Sequence, residues 1–226
     1  MNINPKDFIP KFDAFLSRGL CSGVGHRDGQ MCIEAAICAA LDLPHGDAPT
    51  CVAHAVRAYK IRLNDCYWSS PEARAKGLRS IGIAQVGSAG VVDDKEFSKR
   101  MSEGTIRRLL PTLFREVFPN NQKLLAAADR CELEGSREAV KAARLAAYTV
   151  WAAEAAECAA MHGASVAYVA MQAAEVAWCS TNAAAAARMA KEATKSGDKY
   201  LLLSADICLQ VLKDLKSPGC AWLELL

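Results

Sequence analysis

Net charge is nearly absent from this chain: 27 Lys and Arg stand against 25 Asp and Glu, a formal net charge of +2. Strong duplex-binding proteins carry a far more basic footprint, so that class is excluded. Long apolar runs are missing too. The longest, Met31 to Leu41, is interrupted by Glu34 and is too short to span a bilayer. Ten cysteines are present, yet no Cys-x-x-Cys pair occurs among them, which leaves a zinc site without its usual spacing. The polar start, Met1 to Asp7, predicts no leader peptide. Most cysteines lie inside helical apolar patterns, where a free thiol behaves as a small hydrophobe. Together these features predict a reduced, cytoplasmic protein with no disulfide framework.

What is present is globular: 52% of residues are hydrophobic and 23% charged. Periodicity is helical nearly throughout, and no segment reads as a strand, so an all-α multi-helix bundle is expected. Helices are predicted over Asp7–Leu20, over Gln30–Leu41 with Asp28 as cap, from Thr50 to about Leu63, and from Pro71 to about Val86 behind a Ser70 cap. One or two follow between Asp94 and Phe118, kinked or divided at Pro111. From Lys123 to Thr194 alanine makes up more than a third of the residues. This tract predicts a long helical hairpin, Gln122–His162 and Ser165–Lys195, reversing at Gly163. A break near Gly135 and an apolar stripe of Tyr148, Trp151, Tyr168, Met171 and Trp178 belong to the same expectation. A last helix, Lys199–Lys216, stops at Ser217-Pro218-Gly219. The hydrophobic tail after it is expected to pack back or to join a partner chain. Residues 1–121 are read as the region carrying a binding site, and 122–226 as the hairpin with its C-terminal helix, the two packed together as one unit. Long alanine surfaces and that tail predict a homo-oligomer.

Several strings resemble a family of small helical proteins encoded in bacteriophage and bacterial genomes. They are Gly29-Gln30-Met31-Cys32-Ile33-Glu34-Ala35-Ala36, Leu43-Pro44-His45-Gly46-Asp47, Lys60-Ile61-Arg62-Leu63-Asn64-Asp65, Trp68-Ser69-Ser70, Ala73-Arg74-Ala75-Lys76-Gly77, Ala205-Asp206-Ile207 and Lys216-Ser217-Pro218-Gly219-Cys220. The resemblance covers about residues 19–88 and 198–223. It implies a shared fold and a viral or bacterial cytoplasmic setting, and it brings no activity with it.

Chemistry-bearing residues concentrate between Gly19 and Gln85. The Gly-rich turn Gly23-Val24-Gly25-His26-Arg27-Asp28-Gly29-Gln30 leads straight into a helix, where free amides favour anions. His26 and Arg27 add charge-assisted donors. The turn lacks the Lys-Ser/Thr of a Walker loop, and no strand precedes it as in a dinucleotide fingerprint. The competing reading is a plain interhelical turn. Gln30 and Glu34 lie one turn apart on an otherwise apolar helix. A carboxylate there needs a partner, and an arginine between Arg57 and Arg79 is expected to supply it. Asp206 raises the same question.

The segment 57–115 carries twelve Lys and Arg against six Asp and Glu. Arg57, Lys60, Arg62, Arg74, Lys76 and Arg79 form a basic set. Within it Arg57, Lys60 and Asn64 share a helix face, and Tyr59, Tyr67 and Trp68 are spaced to stack on a ring. An ordinary solvated face is the alternative. Cys51 and His54 also fall on one helical face, as a nucleophile and base would. These features favour a non-enzymatic protein that sequesters a small anionic, nucleotide-like ligand, with Gly25, His26, Arg27, Gln30, Glu34, Arg57, Lys60, Arg62, Trp68, Arg74 and Lys76 in contact with it. In the phage setting it would counter a host defence signal. A helical protein-interaction module is the second reading. A hydrolase or transferase using Glu34 or Cys51/His54 is the third. No cofactor, metal or membrane contact is expected.

Overall fold

A computed structural model describes residues 3–157, 174 and 183–225. It is all-α, and the described residues form no strand. The turn at Gly163 and the predicted positions Tyr168, Met171 and Trp178 lie outside the described residues. The chain divides into two units, residues 1–99 with 205–226, and residues 100–204. The C-terminal segment belongs with the N-terminal region rather than with the alanine-rich helices.

The first unit is built on α1 (Pro5–Leu16), α2 (Ile33–Ala40), α3 (His54–Asn64) and α4 (Pro71–Ala84). The side chain of Asn4 caps α1, with Pro5 at its first position. Phe8, Phe12 and Leu16 recur at intervals of four and bury one stripe. Gly82 of α4 lets that stripe approach closely, since a Cβ there would lie 2.7 Å from Phe12 Cζ. Arg79 and Asp13 clamp α4 to α1 through two 2.7 Å hydrogen bonds. Every residue of α2 is buried, as its apolar sequence requires. Its cap is the Cys32 thiol, not Asp28, and the helix starts three residues later than expected. Similarly α3 starts at His54, because Thr50 to Ala53 form a turn held by the bond from Ala53 N to Ser88 Oγ. The first part of α5 (Asp94–Gly104) and the last part of α10 (Lys199–Asp214) also belong to this unit.

Beyond α10 the hydrophobic tail folds into a 3₁₀ segment, Pro218–Leu225, which packs against α4. Gly219 N donates to Val86 O at 2.9 Å, and Ser217 Oγ donates to Ala84 O at 2.5 Å. Trp222 and Phe8 place their rings 5.8 Å apart. The tail therefore packs back within its own chain.

The second unit contains the rest of α5, a π-helical turn Thr105–Leu109, α6 (Leu110–Val117), α7 (Gln122–Glu134), α8 (Arg137–Glu157) and α9 (Ala183–Thr194). Pro111 sits in the first turn of α6, where its missing N–H costs little, and the π turn just before it absorbs the register change. A break near Gly135 is present: its φ of +60° ends α7 in a left-handed residue. Arg107 caps that end, donating to the carbonyls of Glu132, Leu133 and Glu134. Glu116 accepts from Lys199 and, at 2.8 Å, from the buried Tyr200.

Two predictions follow the packing. A Cβ on Gly219 would lie 2.1 Å from Ile83 O, so Gly219→Ala is expected to cost about 1–3 kcal/mol in thermal or urea denaturation. The bonds from Lys199 and Tyr200 hold the Glu116 carboxyl below the usual glutamate range. A carboxyl depressed in the folded state stabilises above its unfolded pKa and loses that contribution as pH falls through the folded one. Glu116→Gln is therefore expected to flatten the acid limb of a stability-against-pH curve while leaving its neutral-to-alkaline shape unchanged.

Candidate functional site

Along α3 the buried positions are Val56, Tyr59, Lys60, Leu63 and Asn64. This is one continuous stripe at helical spacing, and two of its members are polar. Arg57, Lys60 and Asn64 do share a helix face, but Lys60 and Asn64 turn inward against α2 rather than outward to a ligand. Lys60 Nζ stands 3.0 Å from Glu34 Oε1, with both side chains fully buried. The partner of Glu34 is thus this lysine and not the expected arginine. Gln85, at the end of α4, donates from Nε2 to Glu34 Oε2 at 3.0 Å. No sequence pattern pointed to Gln85, which lies 51 residues from its partner. Burial pushes the Glu34 carboxyl up and the Lys60 amine down, and each partner's charge opposes the other's shift. Gln85 Oε1 and the Nε of the half-buried Arg57 are buried without a hydrogen-bond partner.

The Gly-rich turn is closed on itself. Cys21 N donates to Met31 O, His26 N to Gln30 O, Gly29 N to His26 O and Cys32 N to Val24 O, at 3.0 to 3.2 Å. The His26 and Gly29 amides are thereby spent within the turn. Gly25 serves the close approach of the two arms. Its φ is +71°, and a Cβ would lie 2.3 Å from Gln30 O and 2.6 Å from Cys21 Sγ. His45 Nε2 lies 3.1 Å from Gly25 O. The helix that follows offers no open N-terminus, because Ile33 N donates to the buried Asn64 Oδ1 and Ala35 N to Cys32 Sγ.

The other proposed contacts separate by role. Arg74 donates to Leu20 O at 2.7 Å and to Cys66 O at 3.4 Å, joining the turn to the end of α3. Gln30 Nε2 donates to Arg18 O at 3.0 Å. Trp68 is buried with Nε1 donating to Leu63 O, so it offers no stacking face. Its neighbour Tyr67 is 78% exposed. His26, Arg27, Arg62 and Lys76 are exposed. Asp206 is exposed too, so it is no buried carboxylate. Cys51 is buried in the turn before α3 while His54 is exposed at its first position, so the two do not share a helical face. Burial raises the Cys32 and Cys38 thiols to about 11 and raises Cys51 as well, which keeps all three protonated and poorly nucleophilic.

Clefts lined by described residues include one in each unit. One in the second unit, about 730 Å³, lies between the end of α6, the start of α7 and α8, with Phe118, Lys123 and Thr149 in its wall. One in the first unit, about 550 Å³, lies at the starts of α3 and α5, beside His54, Asp94 and Val91. None of the eleven ligand contacts expected from the sequence lines either cleft. No group of His, Cys, Asp and Glu suited to a metal ion occurs among the described residues, and no described helix is long and apolar enough to cross a membrane. No family model, curated protein or solved structure matches the chain.

The buried pair carries a specific expectation. Lys60→Met leaves the Glu34 carboxylate enclosed without its cation, a change that costs about 3–5 kcal/mol. Glu34→Leu combined with Lys60→Met should recover most of that loss. In Lys60→Met the carboxyl loses its opposing charge and its folded pKa rises further. The folded variant then keeps a proton that the unfolded chain releases, so its stability should fall as pH rises above the ordinary glutamate range. Urea denaturation of the single and double variants at several pH values checks both points.

Proposed function

We propose that this chain binds a small anionic, nucleotide-like ligand and holds it without transforming it. The observation that carries the reading is Arg57. Its guanidinium is half-buried and its Nε, turned inward, has no partner. An arginine fork matches carboxylate and phosphate geometry and is the side chain suited to desolvated anion contacts. Lys60 Nζ, one turn further along α3, is a second enclosed donor whose charge Glu34 shares. Arg27 and Arg62 are exposed cations of the same unit, and Tyr67 is an exposed ring on which a base can stack. In the phage setting that the resemblance implies, holding such a ligand would withdraw a host defence signal from its receptor.

A second reading, a helical interaction module, is favoured by apolar side chains left in solvent on the second unit. Leu133 of α7 is 80% exposed and Leu145 of α8 is 66% exposed. A homo-oligomer joined through such a surface is compatible with either reading.

Calorimetry or thermal shift against mono-, di- and cyclic nucleotides tests the ligand. Saturable binding to at least one of them, weakened about tenfold or more in Arg57→Ala, is the expected result. No response from any member of the panel, or full retention of affinity in Arg57→Ala, ends the reading.

A further inference from the structure

Three donors from separate positions meet on one oxygen at the end of α3. Asp65 Oδ1 accepts from Gly23 N at 2.9 Å, from Asn64 Nδ2 at 2.9 Å and from Ser22 Oγ at 3.3 Å. A carboxylate oxygen offers two lone-pair directions, so the donor set is richer than the single acceptor it holds. Convergence of this kind favours an oxygen that carries full negative charge.

Asn64 and the turn that carries Gly23 are fixed by bonds that do not involve Asp65, while the Ser22 hydroxyl is exposed. Asn64 is fully buried, its Oδ1 accepts from Ile33 N at 3.3 Å, and its Nδ2 also donates to Cys21 O at 2.9 Å. On either side of Ser22 and Gly23 the turn is tied down by Cys21 N to Met31 O and by Cys32 N to Val24 O. The acceptor is the least anchored member. Asp65 is exposed and caps the C-terminal end of α3, where the helix dipole disfavours an anion. Arg62 in the last turn of α3 supplies positive charge at that end. Approach is open on the Gly23 side, where a Cβ would meet no atom within 4 Å.

We propose that Ser22, Gly23 and Asn64 form an oxyanion site that Asp65 occupies from within, and that a phosphate or carboxylate group from outside takes the site by displacing the Asp65 side chain. The turn is then a self-liganded receptor rather than an open cradle. This site is distinct from the one assigned to Arg57, which lies eight residues earlier on α3, about 12 Å along the helix axis.

The test is ¹H–¹⁵N NMR of the full chain, as wild type, Asp65→Ala and Asp65→Asn, titrated with inorganic phosphate and with acetate, with chloride at equal ionic strength as control. In Asp65→Ala, phosphate or acetate should produce saturable shifts at the Ser22 and Gly23 amides and at the Asn64 side-chain NH₂, and chloride should not. Affinity should exceed that of wild type about tenfold or more, because the internal competitor is gone. Asp65→Asn, which keeps the oxygen but not its charge, should fall between the two. A response to phosphate alone assigns a phosphoryl ligand, and a response to acetate as well admits carboxylates. Absence of a saturable shift in Asp65→Ala, with the Cys32 and Ile33 amides unmoved from their folded positions, overturns the proposal. Equal affinity in wild type and Asp65→Ala overturns it too, since displacement then plays no part. Where Asp65→Ala loses the turn, Asp65→Asn decides: no gain over wild type is again an overturning result. Arg57→Ala should leave these shifts intact, so failure here and failure of the Arg57 reading are separable.

Discussion

The first unit depends on a charge pair placed where water does not reach it. Glu34 and Lys60 face each other across α2 and α3 with no exposed surface on either side chain. Enclosing two charges is costly, and their attraction does no more than offset the loss of hydration. The value of the arrangement is positional. An apolar α2 can slide or rotate against an apolar face of α3 at little cost. A carboxylate that must meet one ammonium and one amide cannot, because any other register leaves a buried charge unpaired. Gln85 makes the constraint three-sided by tying the end of α4 to the same carboxylate.

The thiols around this centre follow from the same exclusion of water. Cys32 and Cys38 lie on or beside α2, and Cys208 of α10 is fully buried within reach of the Lys60 charge. Each is a small apolar filler that stays protonated, since burial raises the cost of the thiolate more than the nearby ammonium lowers it. Cys32 has an additional task, as its sulfur caps the helix that carries Glu34.

Much of this was legible in the sequence, and the rest failed for identifiable reasons. Helical class, the Ser70-Pro71 start and the break near Gly135 all rest on local chemistry, and all are present; the last helix ends at Asp214, two residues before the expected Lys216, which is itself left-handed, and Pro218-Gly219 open the 3₁₀ segment. The starts of α2 and α3 fall three and four residues later than the sequence suggests, because α2 is capped by a thiol, while the turn before α3 is held by a serine 35 residues away and Asp94 accepts from Ala55 N in its first turn. For α3 the apolar positions Val56, Tyr59 and Leu63 already placed Lys60 and Asn64 inside the buried stripe. The spacing therefore held the answer, but two polar residue types argued for the solvent side. What outweighed that preference was the presence of Glu34 and the Ile33 amide on the facing helix, which one strand of sequence does not reveal. The Gly-rich turn misled for the opposite reason. Glycine marks a close backbone approach, and the sequence leaves open whether the approaching group is a ligand or the chain itself. At Gly25 it is the chain.

Register in the core and donor geometry at the surface are therefore one property. Lys60 and Asn64 are one helical turn apart on α3, and their partners, the Glu34 carboxylate and the Ile33 amide, are adjacent on α2. A pair that fixes Lys60 against Glu34 also fixes Asn64 at the first turn of α2, and Asn64 carries that position outward through Cys21 O and Asp65 Oδ1. Arg74 holds the other side, joining Leu20 O to Cys66 O across the ends of the same segment. The amides of the turn are thereby set by groups that are themselves buried or doubly bonded, and little of their geometry is left to the flexibility that glycines would otherwise confer. For the oxyanion site proposed at Ser22, Gly23 and Asn64, donors held in this way remove part of the ordering cost of binding.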